Sequence, residues 1–288
     1  EGNEITEVMG IVNGTTNYIL TKMTQEGMDF EEALKKAQEL GFAEADPTAD
    51  VEGLDAGRKM AILASIAFHS RVRFQDVEAV KGITKITAKD IRYANEFGYT
   101  LKLLGVARNT GDGIEVGVFP MMIPSSHPLA NVNDSFNAVF VHGDAVDDVM
   151  FQGRGAGEFP TASAVLGDVI TVARNLVYHS CGRLGCGCYR ELPIRDSGES
   201  KHKYFLRLVV EDRTGILAGV AGVLGNNSVS IHQVLQKPAV DGVAELVVVT
   251  DRVENRHLND ALVIFEQMSM IREVASVIRV YSMKSQDS

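Results

Sequence analysis

The chain has 288 residues, 45% hydrophobic and 23% charged, with a net charge of −10. That length suits about two domains, each with its own core, and the composition is ordinary for a globular protein. The acidic balance, with Lys and Arg scattered, argues against nucleic acid or an anionic membrane surface as a partner. No run approaches the ~18–20 apolar residues of a transmembrane helix, and no signal-peptide pattern opens the sequence.

Residues 5–12 read as a short strand leading into NGTT (13–16) and a helix over about 15–26, ended by Gly27 at a C′ position. Amides and hydroxyls at such a helix start suit a carboxylate or phosphate, although Asn13, Thr15 and Thr16 serve equally well as simple caps. Asp29 and Glu32 form a capping box for a helix to about residue 39. Gly41 then ends it with an expected positive φ, which also allows close approach of a ligand.

The next stretch, GFAEADPTADVEGLDAGRK (41–59), places five carboxylates (Glu44, Asp46, Asp50, Glu52, Asp55) within twelve residues, followed by Arg58 and Lys59. MAILASIAF (60–68), which has no polar face, follows. Pro47 blocks an earlier helix and Asp50 is a good N-cap, so a helix is expected over about 51–68. Asp55, Lys59, Ile62 and Ile66 then share one stripe, and an apolar second half implies burial. The first two turns carry an acid–base pair into a cleft on that reading. The plainer alternative is an i,i+4 pair on a solvated helix, stabilising by roughly 0.2–0.5 kcal/mol.

A capping-box helix over about 87–97 precedes strand-like runs at 101–109, 113–124, 137–142 and 147–152, with a hairpin signal at GDG (111–113). Strands gathered after helices predict an α+β sheet covered on one face. His127 and His142 stand alone, without partners at ligand or triad spacing, and read as structural. QGRGAG (152–157) turns from strand into a helix over about 161–178, with Pro160 at its mouth. It lacks the βαβ setting and ribose-binding acid of a dinucleotide fingerprint.

Residues 181–202 read as a linker between a unit at 1–180 and one at 203–288. Cys181, Cys186 and Cys188 crowd into eight residues of this region, an odd count that suits a reducing, cytoplasmic setting better than a disulfide framework. C-x4-C-x-C offers no familiar fourth ligand apart from His179, so no metal site is expected. The last unit runs strand 203–210, helix 216–226, strands 229–236 and 243–250, helix 256–268 and strand 274–281. That βαββαβ order is ferredoxin-like.

The 41–59 stretch resembles the catalytic signature of the homoserine dehydrogenases. IVNGTTNYIL (11–20), FQGRGAGEFPTASAVLGDV (151–169) and the C-terminal unit fit that family in order, so the resemblance covers nearly the whole chain. It implies an oxidoreductase that interconverts L-aspartate 4-semialdehyde and L-homoserine with NADP or NAD, in threonine and methionine biosynthesis. By resemblance, Glu44 and Asp55 hold the substrate ammonium, Asp50 and Thr15 also face the substrate, and Lys59 moves the proton. Gly41, Gly155 and Gly157 lie toward the cofactor. The family carries its main nucleotide-binding domain before the point where this sequence begins, and the 161–178 helix packs back onto it. An exposed stripe of Val165, Val169, Val172 and Leu176 is therefore expected here.

DRTGILAGVAGVL and VSIHQVLQ in the C-terminal unit resemble an ACT regulatory domain. Such domains pair edge to edge and bind an amino acid at the interface. The resemblance implies threonine as effector, contacts from Asp212, Gly215, Ile216, Leu217 and Gln233, and a homodimer or homotetramer. A ferredoxin-like unit that only dimerises remains the alternative for this part. For the chain as a whole, the alternative is an amino-acid-sensing regulatory fragment without catalysis of its own.

Overall fold

Period-2 and period-3.6 apolar patterns fold into alternating strands and helices in the computed structural model, which describes residues 2–77, 79–182, 187–239 and 242–282. The order begins β1 (Ile5–Ile11), α1 (Gly14–Glu26), α2 (Phe30–Glu39), the single-turn α3 (Thr48–Val51) and α4 (Leu54–Phe68). A two-residue β2 (Ala79–Val80) and α5 (Ala88–Glu96) follow, then β3 (Tyr99–Asn109), β4 (Ile114–Pro124), β5 (Phe136–Gly143), β6 (Asp147–Arg154) and α6 (Glu158–Val177). The C-terminal part runs β7 (Lys201–Glu211), α7 (Ile216–Asn226), β8 (Ile231–Gln236), β9 (Val243–Thr250), β10 (Val253–Glu254), α8 (Asn255–Gln267) and β11 (Ile271–Val280).

The strands form one sheet in the order β6-β5-β1-β3-β4-β11-β7-β9-β8, with β2 beside β4 and β10 beside β7 off this path. The four strands at the C-terminal end keep the expected ferredoxin-like order. The sequence reading treats the two sheets as separate, whereas β11 pairs in parallel with β4, Arg279 opposite Met121 and Val280 opposite Met122. Tyr281 extends the join, its N–H donating to the Met122 carbonyl over 2.8 Å.

Side-chain alternation assigns each face. Leu206, Leu208 and Val210 of β7 pack with Val220 of α7 and Phe265 of α8. Phe205 points the other way and shares a core with Tyr93 and Ala94 of α5 and with Phe68 of α4. The two units therefore share one hydrophobic core as well as one sheet. On the reverse face of β1, β3 and β4, Met9, Leu104 and Met121 pack under Leu129 and Val132.

The central helix differs from expectation in two ways. Asp50 is not its N-cap, because Gly53 in the left-handed region (φ 81°) separates α3 from α4. Asp46 instead supports α3, accepting from the Thr48 amide at 3.1 Å and hydroxyl at 2.6 Å. The second half of α4 is not buried all round either: Met60, Ala64 and Phe68 are buried, but Ile62 and Ile66 are 60% and 67% exposed. The face that carries Asp55 and Lys59 is open along its whole length. Met60 seats α4 against β3 at Gly105, where any Cβ would collide with it. The stripe of Val165, Val169, Val172 and Leu176 on α6 is exposed, as expected.

A buried polar knot crosses between α5 and the C-terminal strands. Asp90 closes the α5 capping box, its Oδ2 accepting from the Thr87 amide at 3.0 Å. Its Oδ1 accepts from Arg207 Nε at 2.8 Å and Ser276 Oγ at 2.6 Å. Arg207 also donates to Glu245 at 3.2 Å, and Glu245 accepts from Tyr93 at 2.7 Å. Removing one partner of a buried, hydrogen-bonded pair leaves the other charge uncompensated. Arg207→Ala is expected to cost about 3–5 kcal/mol of unfolding free energy, read by urea denaturation. A loss below about 1 kcal/mol contradicts this account.

Lys102 is a second buried charge. It donates to the Val132 carbonyl at 2.6 Å and to Asn17 and Asn133 at 3.2 Å. Burial holds its pKa down to about 8 from 10.5, so between those values the unfolded chain binds a proton that the folded chain does not. Stability contributed by this group must then rise as pH increases from about 8 toward 10. Comparing Lys102→Met with the parent by denaturation across that range is expected to show the rise in the parent only.

Candidate active site

The end of β1 and the start of α1 bring Asn13 beneath the open face of α4. Its Oδ1 accepts from the Thr16 amide at 2.9 Å and so caps α1. Its Nδ2 donates to Asp50 at 2.7 Å and to Asp55 at 3.0 Å, fixing two carboxylates that belong to different helices. Asp55 also accepts from Lys59 Nζ at 2.7 Å, and Lys59 donates to the Val12 carbonyl at 3.0 Å. At 30% and 45% side-chain exposure, Asp55 and Lys59 form a solvent-reachable pair rather than a sealed one. The third N–H of Lys59 is left for a ligand.

These groups line a cleft of about 600 Å³. Leu40, Gly41 and Phe42 form one flank, Gly41 at φ 75° as its sequence position demands. Thr15 also lines the cleft but donates its hydroxyl to the Phe42 carbonyl at 2.6 Å, so it braces that flank. The opposite wall is the turn from β6 into α6, Arg154 through Pro160, with Gly155 and Gly157 in it. A side chain at Gly155 would collide with the Asn137 amide, and the Asn137 Oδ1 is buried without a partner among the described residues.

The cleft thus gathers Thr15, Gly41, Asp50, Asp55, Lys59, Gly155 and Gly157 from the sequence candidates. Glu44 is exposed and is not among the lining residues; among the described residues only its backbone is engaged, by Gln38 at 3.0 Å. Sequence reasoning missed the bridging role of Asn13 and the presence of Asn137, Ser135 and Arg154. The cap signal at Asn13 was legible, but its second use joins residues 37 and 42 positions apart, and the other three come from a segment more than a hundred positions away.

The remaining candidates are dispersed. Asp212 and Gly215 lie in the turn before α7, with Gly215 at φ 87°, and Ile216, which is buried, and Leu217 open the helix. Gln233 lies on β8, which forms the end of the sheet, and pairs with Val249. Val249 faces Phe205, six residues before Glu211, so Gln233 stands roughly 20 Å from that turn in the same chain. His127 is buried between the Phe140 and Tyr281 rings, accepts from the Leu129 amide at 3.1 Å, and has its pKa lowered by burial. His142 does have a partner, Asp148 across the β5–β6 hairpin at 2.7 Å. Cys181 is exposed, Cys188 is half-buried beside the Ser65 carbonyl, and Cys186 lies outside the described residues. Among the described residues no group of three His, Cys, Asp or Glu side chains is placed to hold a metal ion. Nor is any described helix long and apolar enough to cross a membrane.

The family model described as Homoserine dehydrogenase matches residues 1–170, and that described as ACT domain matches residues 204–265. The chain belongs to the homoserine dehydrogenase family. It is 45% identical over 280 residues to the homoserine dehydrogenase of Bacillus subtilis, covering 96% of this chain and 64% of that protein. A solved homoserine dehydrogenase from Thiobacillus denitrificans superposes with a TM-score of 0.90 at 37% identity, over 97% of this chain and 65% of that one. A hyperthermophilic archaeal homoserine dehydrogenase solved in complex with NADPH matches 60% of this chain and 49% of its own, with a TM-score of 0.50 at 28% identity. The chain therefore spans slightly less than two thirds of the first two family members.

Asn13→Ser keeps a capping oxygen while deleting the amide that reaches Asp50 and Asp55, whereas Asn13→Ala deletes both. The Ala variant is expected to lose about 1 kcal/mol or more of stability in thermal melts and the Ser variant far less. Both should let Asp50 and Asp55 separate, read as a longer distance between the two carboxylates in structures of the variants. An unchanged pair in the Ser variant would show that the carboxylates need no bridge.

Proposed function

We propose that this chain supplies the substrate-binding and proton-transfer machinery of a homoserine dehydrogenase, acting on L-homoserine and L-aspartate 4-semialdehyde with NADP or NAD. The observation that carries this reading is the cluster in which Asn13 holds Asp50 and Asp55 beside Lys59 at the cleft. Carboxylates at this range suit the substrate ammonium, and the amides at the start of α1 suit its carboxylate. Anchored at its α-carbon through both charged groups, the substrate extends C4 and its oxygen toward Lys59. The free N–H of Lys59 donates a proton to that oxygen as it becomes an alkoxide, and in the reverse direction Lys59 takes the hydroxyl proton. Asp55 and the Val12 carbonyl hold the ammonium group in place for that transfer.

The nicotinamide nucleotide, when bound, supplies or accepts the hydride. The cleft fits its flat reactive ring: backbone without side chains at Gly41, Gly155 and Gly157 leaves room on two walls, and Asn137 offers an unpartnered buried acceptor. The NADPH-bound archaeal relative supports a nicotinamide cofactor without settling which one this chain prefers.

Within this reading residues 1–180 form the catalytic unit, 181–202 the linker and 203–288 an ACT regulatory unit that senses threonine. Because Gln233 and the Asp212–Leu217 turn are far apart in one chain, an effector touching both requires a second copy, in keeping with a homodimer or homotetramer. Glu44 contributes only if its loop moves toward the cleft. The crowded cysteines support a cytoplasmic placement. The competing reading, an amino-acid-sensing fragment without catalysis, is favoured by one feature, the open outer edge of β8, which is ready to pair with another strand.

Two measurements test the proposal. In the full-length enzyme, Lys59→Ala is expected to lower kcat by about 10²–10⁴-fold, and near-normal turnover removes Lys59 from the mechanism. In calorimetry, Asp55→Ala is expected to abolish L-homoserine binding to this chain. Binding that survives the substitution places the amino-acid site in the C-terminal unit and favours the sensing fragment.

A further inference from the structure

A second cavity, of about 400 Å³, lies where three parts of the chain meet: the ends of β3 and β4, the 195–199 stretch, and the strand ends of the C-terminal unit. Its walls carry Arg108, Arg195, Lys201 and Arg252 with Glu115 and Glu199, and Glu7, Asp112 and Glu254 stand beside three of these cations. Arg195 and Lys201 are loosely paired. Arg195 stands 3.7, 3.6 and 3.8 Å from Asp112, Glu115 and Glu199, and Lys201 stands 3.6 Å from Glu254. Charge-assisted hydrogen bonds run at about 2.7–2.9 Å, so none of these contacts uses the donors fully. Arg108 gives one N–H to Glu7 at 3.1 Å, while its Nε is buried without a partner among the described residues.

His202 reports the same field. Burial, with Arg279, Arg108 and Arg252 around it, lowers its pKa to about 2, so it is neutral at physiological pH and contributes a ring rather than a further charge. The unspent N–H donors of Arg108, Arg195 and Lys201 suit an anion with several acceptor oxygens. Guanidinium forks match phosphate oxygens two at a time, and the cavity is large enough for more than one phosphoryl group.

We propose that this cavity is a binding site for a small phosphate-bearing anion, held by Arg108, Arg195, Lys201 and Arg252. It shares no lining residue with the Asn13–Asp55–Lys59 cleft. It adjoins the start of β7, whereas the Asp212–Leu217 turn follows its end, roughly 30 Å away along an eleven-residue strand. Occupancy bridges the catalytic sheet, the linker and the C-terminal unit, and so stiffens the join between them.

The test is calorimetric titration of pyrophosphate into the whole chain at low ionic strength, beside succinate as a dicarboxylate of comparable size. Saturable pyrophosphate binding is expected, weakened roughly tenfold or more by Arg195→Gln and by Lys201→Gln, each removing a charged donor. Succinate is expected to bind at least tenfold more weakly. Arg154→Gln, at the other cleft, and saturating L-threonine should leave the affinity unchanged. Lys201 is exposed at the start of its strand, so its variant keeps the fold, and melting curves without ligand verify this for both. Absence of saturable binding, equal affinity in the parent and both variants, or loss of binding in Arg154→Gln each overturns the site. Equal binding of succinate overturns the assignment to phosphate.

Discussion

The amide of Asn13 is the point on which the cleft depends. A helix start leaves N–H groups unsatisfied, and a carboxylate cluster needs donors to hold its members together. One side chain serves both needs, its oxygen turned to α1 and its nitrogen to Asp50 and Asp55. The left-handed break at Gly53 makes this possible, since an unbroken helix from residue 51 would carry Asp50 and Asp55 on a single rod. With α3 and α4 at an angle, the two acids converge on one nitrogen. Lys59, one turn past Asp55, is then held at the mouth.

A second constraint acts at the other end of α5. Asp90 is a local residue in the sense that it closes its own helix's capping box, and a distant one in that Arg207 and Ser276 bind its other oxygen. The first turn of α5 and the C-terminal strands are thereby ordered together. α5 packs on α1, which begins at Asn13. A chain of packed elements thus runs from the C-terminal sheet to the cleft, and any effector of that sheet has a physical route along it.

Much of this was legible in the sequence because it is local. Gly27 and Gly41 sit where backbone sterics require glycine, the Thr87–Asp90 box announces its helix, and βαββαβ follows from the order of apolar periods. Asp50 misled because its cap signal is short-range and a tertiary partner, Asn13, outcompeted it. Ile62 and Ile66 misled for a different reason: an apolar run reports what a surface prefers, not which element covers it. The β4–β11 pairing and the Arg207–Asp90 bond join residues more than a hundred positions apart, and no spacing rule sees them. Glu44 and Gln233 show the converse, a motif position identified while its geometry in one chain stays apart from its partners.

The shared sheet has a consequence for how such a protein can be re-engineered. Regulatory units at chain ends are often treated as detachable, and removing one is the usual shortcut to a deregulated enzyme. Here excision before β7 would strip the pairing edge of β4 and bare the side of α5 that Phe205, Val247 and Val249 cover. It would also strand the Asp90 charge. Loss of the C-terminal unit and loss of solubility would come together, so that unit is better altered through point changes on its outer helices, with the strands left in place.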